Sequence, residues 1–433
     1  MRLAVLGAAV YRYIRTALAR HTTHTGSMNS RHSFYLLIFI IIGVIAGLIV
    51  GWYWGAAATG VAWLGKLFLN TLSMLVIPLL VSAVITGVTS LGDVRQLGRL
   101  SGITISYYLI TVAIAVLIGL IMVNIIQPGV GVSTVGLAQP DELLIAAQEK
   151  GIGDILLSMV APNLIAAAAE TNLLPLILWS VAFGIALASI GDKGKPAARF
   201  FESLNEGMML LVSWVMYFAP IGVFGLIAGM FGAAGSAQAF MEKIAAVGLH
   251  VVTVLSGLTI HFIILILIML FVARQPISYF VGMLRAIVTA FATASSTATL
   301  PITIQCAKES NIDERARRFV LPLGSTVNMD GTALYEAAAA MFIAQAYNLQ
   351  LDLGQQAIIF ISATLAAIGA AGIPQAGLVT MIIVLQVVGL PVEGIGLLLA
   401  VDWFLDRFRT ATNVWGDAVG AAVVHRYLQK HID

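Results

Sequence analysis

A chain of 433 residues that is 60% hydrophobic and only 10% charged lies outside the range of ordinary soluble proteins, which carry about 25% charged residues. Its 23 Lys+Arg against 21 Asp+Glu leave a net charge of +2, which excludes the basic excess of a nucleic-acid binder. Cys306 stands alone, so no internal disulfide forms, and no Asn-x-Ser/Thr acceptor marks a glycosylated ectodomain.

Residues 1–33 hold five arginines and no clean cleavage site, the pattern of a cytosolic tail rather than a signal peptide. Long apolar blocks follow, among them Phe34–Val50, Leu109–Val123 and Ile263–Val272. About 20 such residues in a helix cross a hydrocarbon core, so the chain reads as an all-α polytopic membrane protein. Helices are expected near 33–54, 63–91, 101–126, 155–190, 196–230 and 241–273. With the N-terminus inside, loops on that side collect Arg95, Arg99, Lys193, Lys195, Arg199 and Arg274. The alternate loops, 55–62, 127–154 and 231–240, contain only Lys150. The positive-inside rule therefore places the N-terminus in the cytosol.

Beyond residue 275 the pattern is no longer that of simple spans. Apolar stretches over 276–293 and 357–368 run into small or Gly/Pro-rich apices, Ala294-Ser-Ser-Thr-Ala-Thr-Leu-Pro301 and Gly369-Ala-Ala-Gly-Ile-Pro-Gln-Ala-Gly377. A helical arm over 356–367 reaches only about 18 Å, against a core of about 30 Å. Two re-entrant hairpins are expected, the first cytosolic because Lys308, Arg315, Arg317 and Arg318 follow it. The second is expected outside, because 348–356 contains no Lys or Arg. Two ordinary spans kinked by Gly and Pro are the plainer alternative. Broken segments entering from opposite faces point to a transporter site near the midplane.

The last helix, expected over 394–424, contains Asp402, Asp406, Arg407, Arg409 and Asp417. Each charge costs about 2.5–3.5 kcal/mol at a helix centre in the bilayer. At 3.6 residues per turn, Asp402, Asp406, Arg409, Asn413 and Asp417 fall within an arc of roughly 80°, with Thr410 at its margin and Arg407 off it. A second polar segment, Gly324-Ser-Thr-Val-Asn-Met-Asp-Gly-Thr332, interrupts an apolar helix expected over 318–347. Local unwinding beside Gly331 would free carbonyls, which together with Asn and Asp oxygens suit a hard cation. Asp330, Asp402, Asp406 and Asp417 against Arg409 leave a formal charge near −3. Such a cluster in a bilayer calls for bound cations or protons.

The planar fork of Arg409 suits a carboxylate, and Asp406, one turn away, suits a cationic amine. An acidic amino acid satisfies both; the bland alternative is that the two side chains pair with each other. Glu336 is a further intramembrane acid and a candidate proton carrier. His261, in an apolar helix, reads as a structural histidine rather than a ligand. No GxxxxGK[ST], HExxH or paired-Cys motif occurs, so neither ATP drive nor enzymatic chemistry is expected.

Asn328-Met-Asp-Gly-Thr332, Ala371-Gly-Ile-Pro-Gln-Ala-Gly377 and Asp402-Trp-Phe-Leu-Asp-Arg-Phe-Arg-Thr410, continuing to Asn413 and Asp417, resemble the dicarboxylate/amino acid:cation symporters, the glutamate transporter family. The resemblance runs from about residue 34 to 430 and is strongest over 290–424. It implies eight transmembrane helices plus two re-entrant helical hairpins built as inverted repeats, in a homotrimer that works by an elevator mechanism in the plasma membrane, of prokaryotic inner-membrane type. After a cytosolic tail at 1–32, scaffold helices would occupy 33–100 and 127–235. A transport domain would comprise 101–126 and 236–430, the latter with hairpins at about 275–309 and 355–390.

Carried over by position, Arg409 with Thr332 would take the side-chain carboxylate and Asp406 the α-amine. Ser296, Thr410 and Asn413 would contact the α-carboxylate or amine, and Ile373 and Gly377 would add hairpin backbone. One Na+ site would use Gly324, Asn328, Asn413 and Asp417. A second would use main-chain oxygens of Thr326, Ala367, Ile368 and Ala370, near Met329. A third would use Tyr108, Thr111, Asn328 and Asp330, although Val112 stands where relatives supply a second hydroxyl. Glu336 and Arg407 resemble the animal-type transporters, in which proton and potassium coupling attends that glutamate. The implied function is Na+- and/or H+-coupled uptake of L-glutamate or L-aspartate. The alternatives are a C4-dicarboxylate or neutral amino acid symporter of the same fold, or an anion-conducting channel.

Overall fold

The computed structural model describes residues 30–90, 98–132, 160–170, 172–233, 237–369 and 376–430, which form helices and short connections without strands. The N-terminal tail, Arg95, Lys150, the start of the helix expected over 155–190, and the hairpin positions Ala370 and Ile373 lie outside the described residues.

The first apolar blocks form α1 (Ser30–Trp54) and α2 (Ala62–Ser90), joined by a 3-10 turn over Gly55–Val61. Gly55 opens that turn at φ +50°, a conformation glycine adopts without strain. α3 (Gly98–Ile126) follows. The helix expected over 155–190 is instead the short α4 (Leu164–Ala169) and α5 (Leu173–Ser189). Asn163 starts α4 by accepting from the amides of Ile165 and Ala166 at 2.9 and 3.2 Å. The single helix expected over 196–230 is α6 (Lys195–Met216) and α7 (Ala219–Gly232), bent by 57°. Pro220 sits in the first turn of α7, where its missing N–H is tolerated but the preceding helix cannot continue.

α7 lies between α1 and α2, and glycines set the spacing. A Cβ at Gly43 would lie 2.5 Å from the Pro220 carbonyl oxygen, and one at Gly51 would meet Gly232. On the other side Gly229 abuts Ala62 and Gly225 abuts Leu64. Helices at this distance gain contact area where hydrophobic burial gives no drive, the usual basis of packing in lipid. The same contacts run α1 parallel and α2 antiparallel to α7, so the apolar stretch Ile38–Thr89 reverses at Gly55.

α8 (Ala237–Phe271) leads into two helical hairpins separated by a broken helix. The first hairpin is α9 (Ile277–Thr293) and α10 (Ser296–Glu309), reversing at Ala294, φ +50°. The hydroxyl of Ser295 accepts from the Ala298 amide at 3.1 Å and so starts α10. The helix expected over 318–347 is α11 (Glu314–Val327) and α12 (Asp330–Ala346), interrupted at Asn328-Met329 as the sequence anticipates. α13 (Leu353–Gly369) and α14 (Ala376–Val388) form the second pair, and α15 (Ile395–Lys430) ends the fold. The four hairpin helices have 17, 14, 17 and 13 residues, or about 20–26 Å each, too short to cross a core of about 30 Å. Besides Ile38–Thr89, the segments Leu100–Ile126 and Met241–Phe271 are long and apolar enough to cross a membrane, as is the bent pair α6–α7.

Contacts gather into two sets. α2 packs on α5, α6 and α7, and α7 on α1; α3 packs on α8, α12 and α13, and α15 on α8, α9, α11 and α12. The sets meet where α13 and α14 touch α2 and where α7 touches α15. α12 is buried around its whole circumference, which places the broken helix at the centre of the second set.

Candidate functional site

The polar stripe of α15 faces inward. Asp402, Asp406, Arg409, Thr410, Asn413 and Asp417 are all buried, Arg409 completely. Arg409 Nη2 lies 3.0 Å from Asp402 Oδ1 and 2.9 Å from Asp406 Oδ1. Its guanidinium carbon stands 4.1 Å over the ring of Tyr335, a cation–π contact strengthened by the absence of water. The pairing of Arg409 with Asp406 that sequence left open is thus present, with Asp402 as a second partner. Yet Arg409 Nε and Nη1 have no hydrogen-bond partner. Nη2 is engaged by the two acids, whereas the N–H groups of Nε and Nη1 remain as donors for an anion.

Gly377, Thr332, Ser296 and Thr410 sit on four different helices. Gly377 at the start of α14 approaches so nearly that a Cβ would lie 3.0 Å from Arg409 Nη1. Thr332, in the first turn of α12, receives a hydrogen bond from Asn413 Nδ2 at 3.2 Å. Ser296 opens α10 and donates to the Ser325 carbonyl at 2.8 Å, joining the first hairpin to the end of α11. Thr410 Oγ1 donates to the Asp406 carbonyl at 2.8 Å.

A second cluster lies toward the C-terminal end of the stripe, at the break between α11 and α12. Asn328 Nδ2 donates to Asp417 Oδ1 at 3.1 Å. Thr111 of α3 donates to Asp330 Oδ1 at 3.2 Å and reaches Asn328 Oδ1 at 3.4 Å. Asp417 Oδ1 and the Tyr108 hydroxyl crowd Gly324, and no side chain fits there. Hence Tyr108, Thr111, Gly324, Asn328, Asp330 and Asp417 converge as expected, although the Tyr108 hydroxyl donates to the Val320 carbonyl at 2.7 Å. Val112 is buried in the apolar core. Met329 joins the two clusters, since Asn413 Nδ2 also reaches its sulfur at 3.2 Å. Carboxylate, amide, hydroxyl and helix-end carbonyl oxygens are the donor set of a hard cation. Ala367 is buried near the end of α13, whereas the Thr326 side chain is exposed and turns back to Leu323 O at 3.1 Å. Ile368 lies in the last turn of α13.

Two expected coupling residues are in different places. Glu336 is fully buried beside Thr380 and within electrostatic reach of Arg409. Arg407 points away from it and donates to the carbonyls of Phe291 and Ala292 at 3.1 and 2.7 Å. It thus caps the C-terminal turn of α9, where a cation is favoured.

Sequence reasoning missed three contacts. His261, read as structural, lies 3.0 Å from Asp330 Oδ2 with both groups buried. Tyr335 stacks on Arg409; nothing in its apolar surroundings along the chain signals this. Asp402 belongs to the stripe, but its pairing with Arg409 rather than with a ligand follows only from the packing.

The chain is similar to known proteins along most of its length. Residues 36–427 match the sodium:dicarboxylate symporter family. The chain is 40% identical over 445 residues to excitatory amino acid transporter 4 of Mus musculus, covering 85% of this chain and 78% of that protein. It is 39% identical over 461 residues to excitatory amino acid transporter 1 of Ambystoma tigrinum, covering 91% and 83%. Against excitatory amino acid transporter 3 of Oryctolagus cuniculus it is 35% identical over 452 residues, covering 92% and 85%. These relatives are animal proteins and lend no support to a prokaryotic inner membrane. The chain belongs to the sodium:dicarboxylate symporter family, and is a membrane transport protein rather than an enzyme.

Proposed function

We propose that the chain is a secondary active symporter that takes up L-glutamate or L-aspartate together with Na+. The observation that carries the substrate is the half-engaged guanidinium of Arg409, whose Nε and Nη1 are unpartnered while Nη2 is held by Asp402 and Asp406. A substrate carboxylate takes the unpartnered donors of Arg409 with help from Thr332, and the amine takes Asp406. The α-carboxylate falls to Ser296, Thr410, Asn413 and the backbone at Ile373 and Gly377. Na+ ions occupy the Asp417–Asn328–Asn413–Gly324 and Asp330–Thr111–Asn328–Tyr108 groups, and a third uses main-chain oxygens of Thr326, Ala367, Ile368 and Ala370. Protons ride on Glu336, with K+ as the return ion.

The two contact sets of helices support an elevator. α1, α2 and α4–α7 are the scaffold of a homotrimer, and α3 with α8–α15 is the moving transport domain within an eight-span fold whose termini are cytosolic. The test is uptake of radiolabelled L-aspartate by proteoliposomes under separately imposed Na+, H+ and K+ gradients. Saturable, Na+-dependent uptake inhibited by excess unlabelled glutamate is the expected result. Uptake that ignores unlabelled aspartate but yields to succinate or serine overturns the substrate. A flux that neither saturates nor requires a cation gradient identifies a channel instead.

A further inference from the structure

The transport site uses none of the polar groups at the opposite edge of the first helix set. There a cavity of about 150 Å³ opens between the end of α2 and the start of α6, lined by Thr86, Thr89, Lys195, Ala198, Arg199 and Glu202. Three features of this cavity point to a phosphate. The Thr86 hydroxyl is buried and has no hydrogen-bond partner, leaving a donor that a phosphate oxygen satisfies. Arg199 forms no ion pair among the described residues, and Lys195 is held only by Asp192, at 2.6 Å in an exposed pair, which water already screens and a ligand readily exchanges. α6 begins at the cavity with Gly194 as its cap and no side-chain oxygen on its first amides, so its N-terminal dipole is open to an anion.

Glu202 makes the chemistry more specific. A simple anion site would exclude a carboxylate, yet this one lines the cavity one turn beyond Arg199 and pairs with no described cation. Donors for a phosphate beside an acceptor for a cation describe a zwitterion. The same ends of α5 and α6 expose Ile185, Ile190 and Phe200, apolar side chains along which an acyl chain can lie. We propose that the cavity binds the phosphoethanolamine head group of a membrane phospholipid. The phosphodiester lies against Arg199, Lys195, Thr86 and the α6 N-terminus, and the primary ammonium lies against Glu202. This rests on the chain being a membrane protein and is independent of which solute it carries.

The full chain, purified and delipidated in detergent, is mixed with phosphatidylethanolamine, phosphatidylcholine and phosphatidylglycerol of matched acyl chains, and retained lipid is counted by native mass spectrometry. Wild type retains phosphatidylethanolamine in preference to the other two. Arg199→Gln weakens retention of all three by about fivefold, the worth of one basic side chain at a charged membrane surface. Thr86→Val, which keeps the shape and removes the donor, weakens all three as well. Glu202→Gln removes only the preference for phosphatidylethanolamine, because a quaternary ammonium cannot hydrogen-bond and glycerol carries no charge. Equal retention of the three lipids by wild type overturns the proposal, as does unchanged phosphatidylethanolamine retention in Arg199→Gln. Displacement of the lipid by equimolar soluble phosphoethanolamine overturns the lipid source. Aspartate uptake plays no part in these readouts, so failure of the transport reading leaves the test intact.

Discussion

Replacing Arg409 by cysteine separates two consequences of one side chain. Asp402 and Asp406 are 2% and 7% exposed and share Arg409 as their cation. Removing one partner of a buried ion pair costs about 3–5 kcal/mol, so Arg409→Cys lowers thermal stability unless a cation or proton replaces the guanidinium. For substrate, the unpartnered Nε and Nη1 donors supply two charge-assisted hydrogen bonds at about 1.5–3 kcal/mol each. Their loss weakens acidic substrate by roughly 10²–10⁴-fold while leaving Asp406 for an amine. Radiolabelled aspartate uptake therefore falls to background and serine uptake rises. Arg409→Lys keeps the charge without the fork and gives an intermediate loss. Adding Asp402→Asn to Arg409→Cys removes one unpaired acid and restores part of the melting temperature without restoring aspartate uptake. Aspartate uptake within twofold of wild type in a folded Arg409→Cys protein, or its recovery in the double variant, refutes the assignment.

Asn413→Ala removes the side chain that touches both clusters, and the half-saturating Na+ concentration then stops falling as aspartate is raised; preserved dependence in a titration of both solutes contradicts this. Gly331→Ala places a Cβ 2.7 Å from the Arg409 carbonyl oxygen, and overpacking of about 1–3 kcal/mol at the α12–α15 crossing lowers the melting temperature and uptake together. Glu336→Gln flattens the pH dependence of net uptake but spares Na+-dependent exchange, and an unchanged pH profile removes Glu336 as proton carrier. Asp313, outside the membrane, accepts from the Arg315 side chain at 3.2 Å and from its amide at 2.8 Å, and these contacts hold its carboxyl below the usual range. Its contribution is complete above the unfolded value near 3.9 and fades as pH falls through the lower folded value. Asp313→Ala thus costs about 1 kcal/mol of helix capping at pH 7, and the melting difference from wild type shrinks below pH 4.

The sequence exposes much of this site because a bilayer penalises charge. Asp402, Asp406, Arg409, Asn413 and Asp417 stand out on α15 by their cost alone, and their 3.6-residue spacing sets them on one face. The interruption at Asn328-Met329 is legible for a related reason, since Gly331 beside an acid weakens a helix that otherwise reads as apolar. Where neighbouring chain segments supply the answer, the reading fails. Pro220 splits the helix expected over 196–230, a signal present in the residues but masked by continuous hydropathy. His261 and Tyr335 approach Asp330 and Arg409 only through the crossing of α8, α12 and α15. No local pattern encodes such a crossing, because it depends on which glycines let the helices come close.

Coupling between cation and solute follows from where the two clusters sit. Arg409 is surrounded by Asp402 and Asp406, so the substrate pocket alone carries one negative charge in excess, suited to an amine. About two turns further along α15, Asp417 and Asp330 are buried with Asn328, Thr111 and His261 as their partners, and carboxylates in that setting need a counter-charge. Asn413 stands between them. Its Oδ1 receives the Gly331 amide at 2.7 Å, and its Nδ2 reaches Met329 Sδ and Thr332 Oγ1, each at 3.2 Å. On the reading proposed above, a cation at Asp417 and the amide oxygen of Asn413 would draw that oxygen from Gly331 and re-aim the Nδ2 that orients Thr332. Binding at either cluster thereby changes the hydrogen bonds available at the other, and thermodynamic reciprocity makes the effect mutual. On the proposed reading, one amide serves both sites and so makes the solute and cation gradients exchangeable.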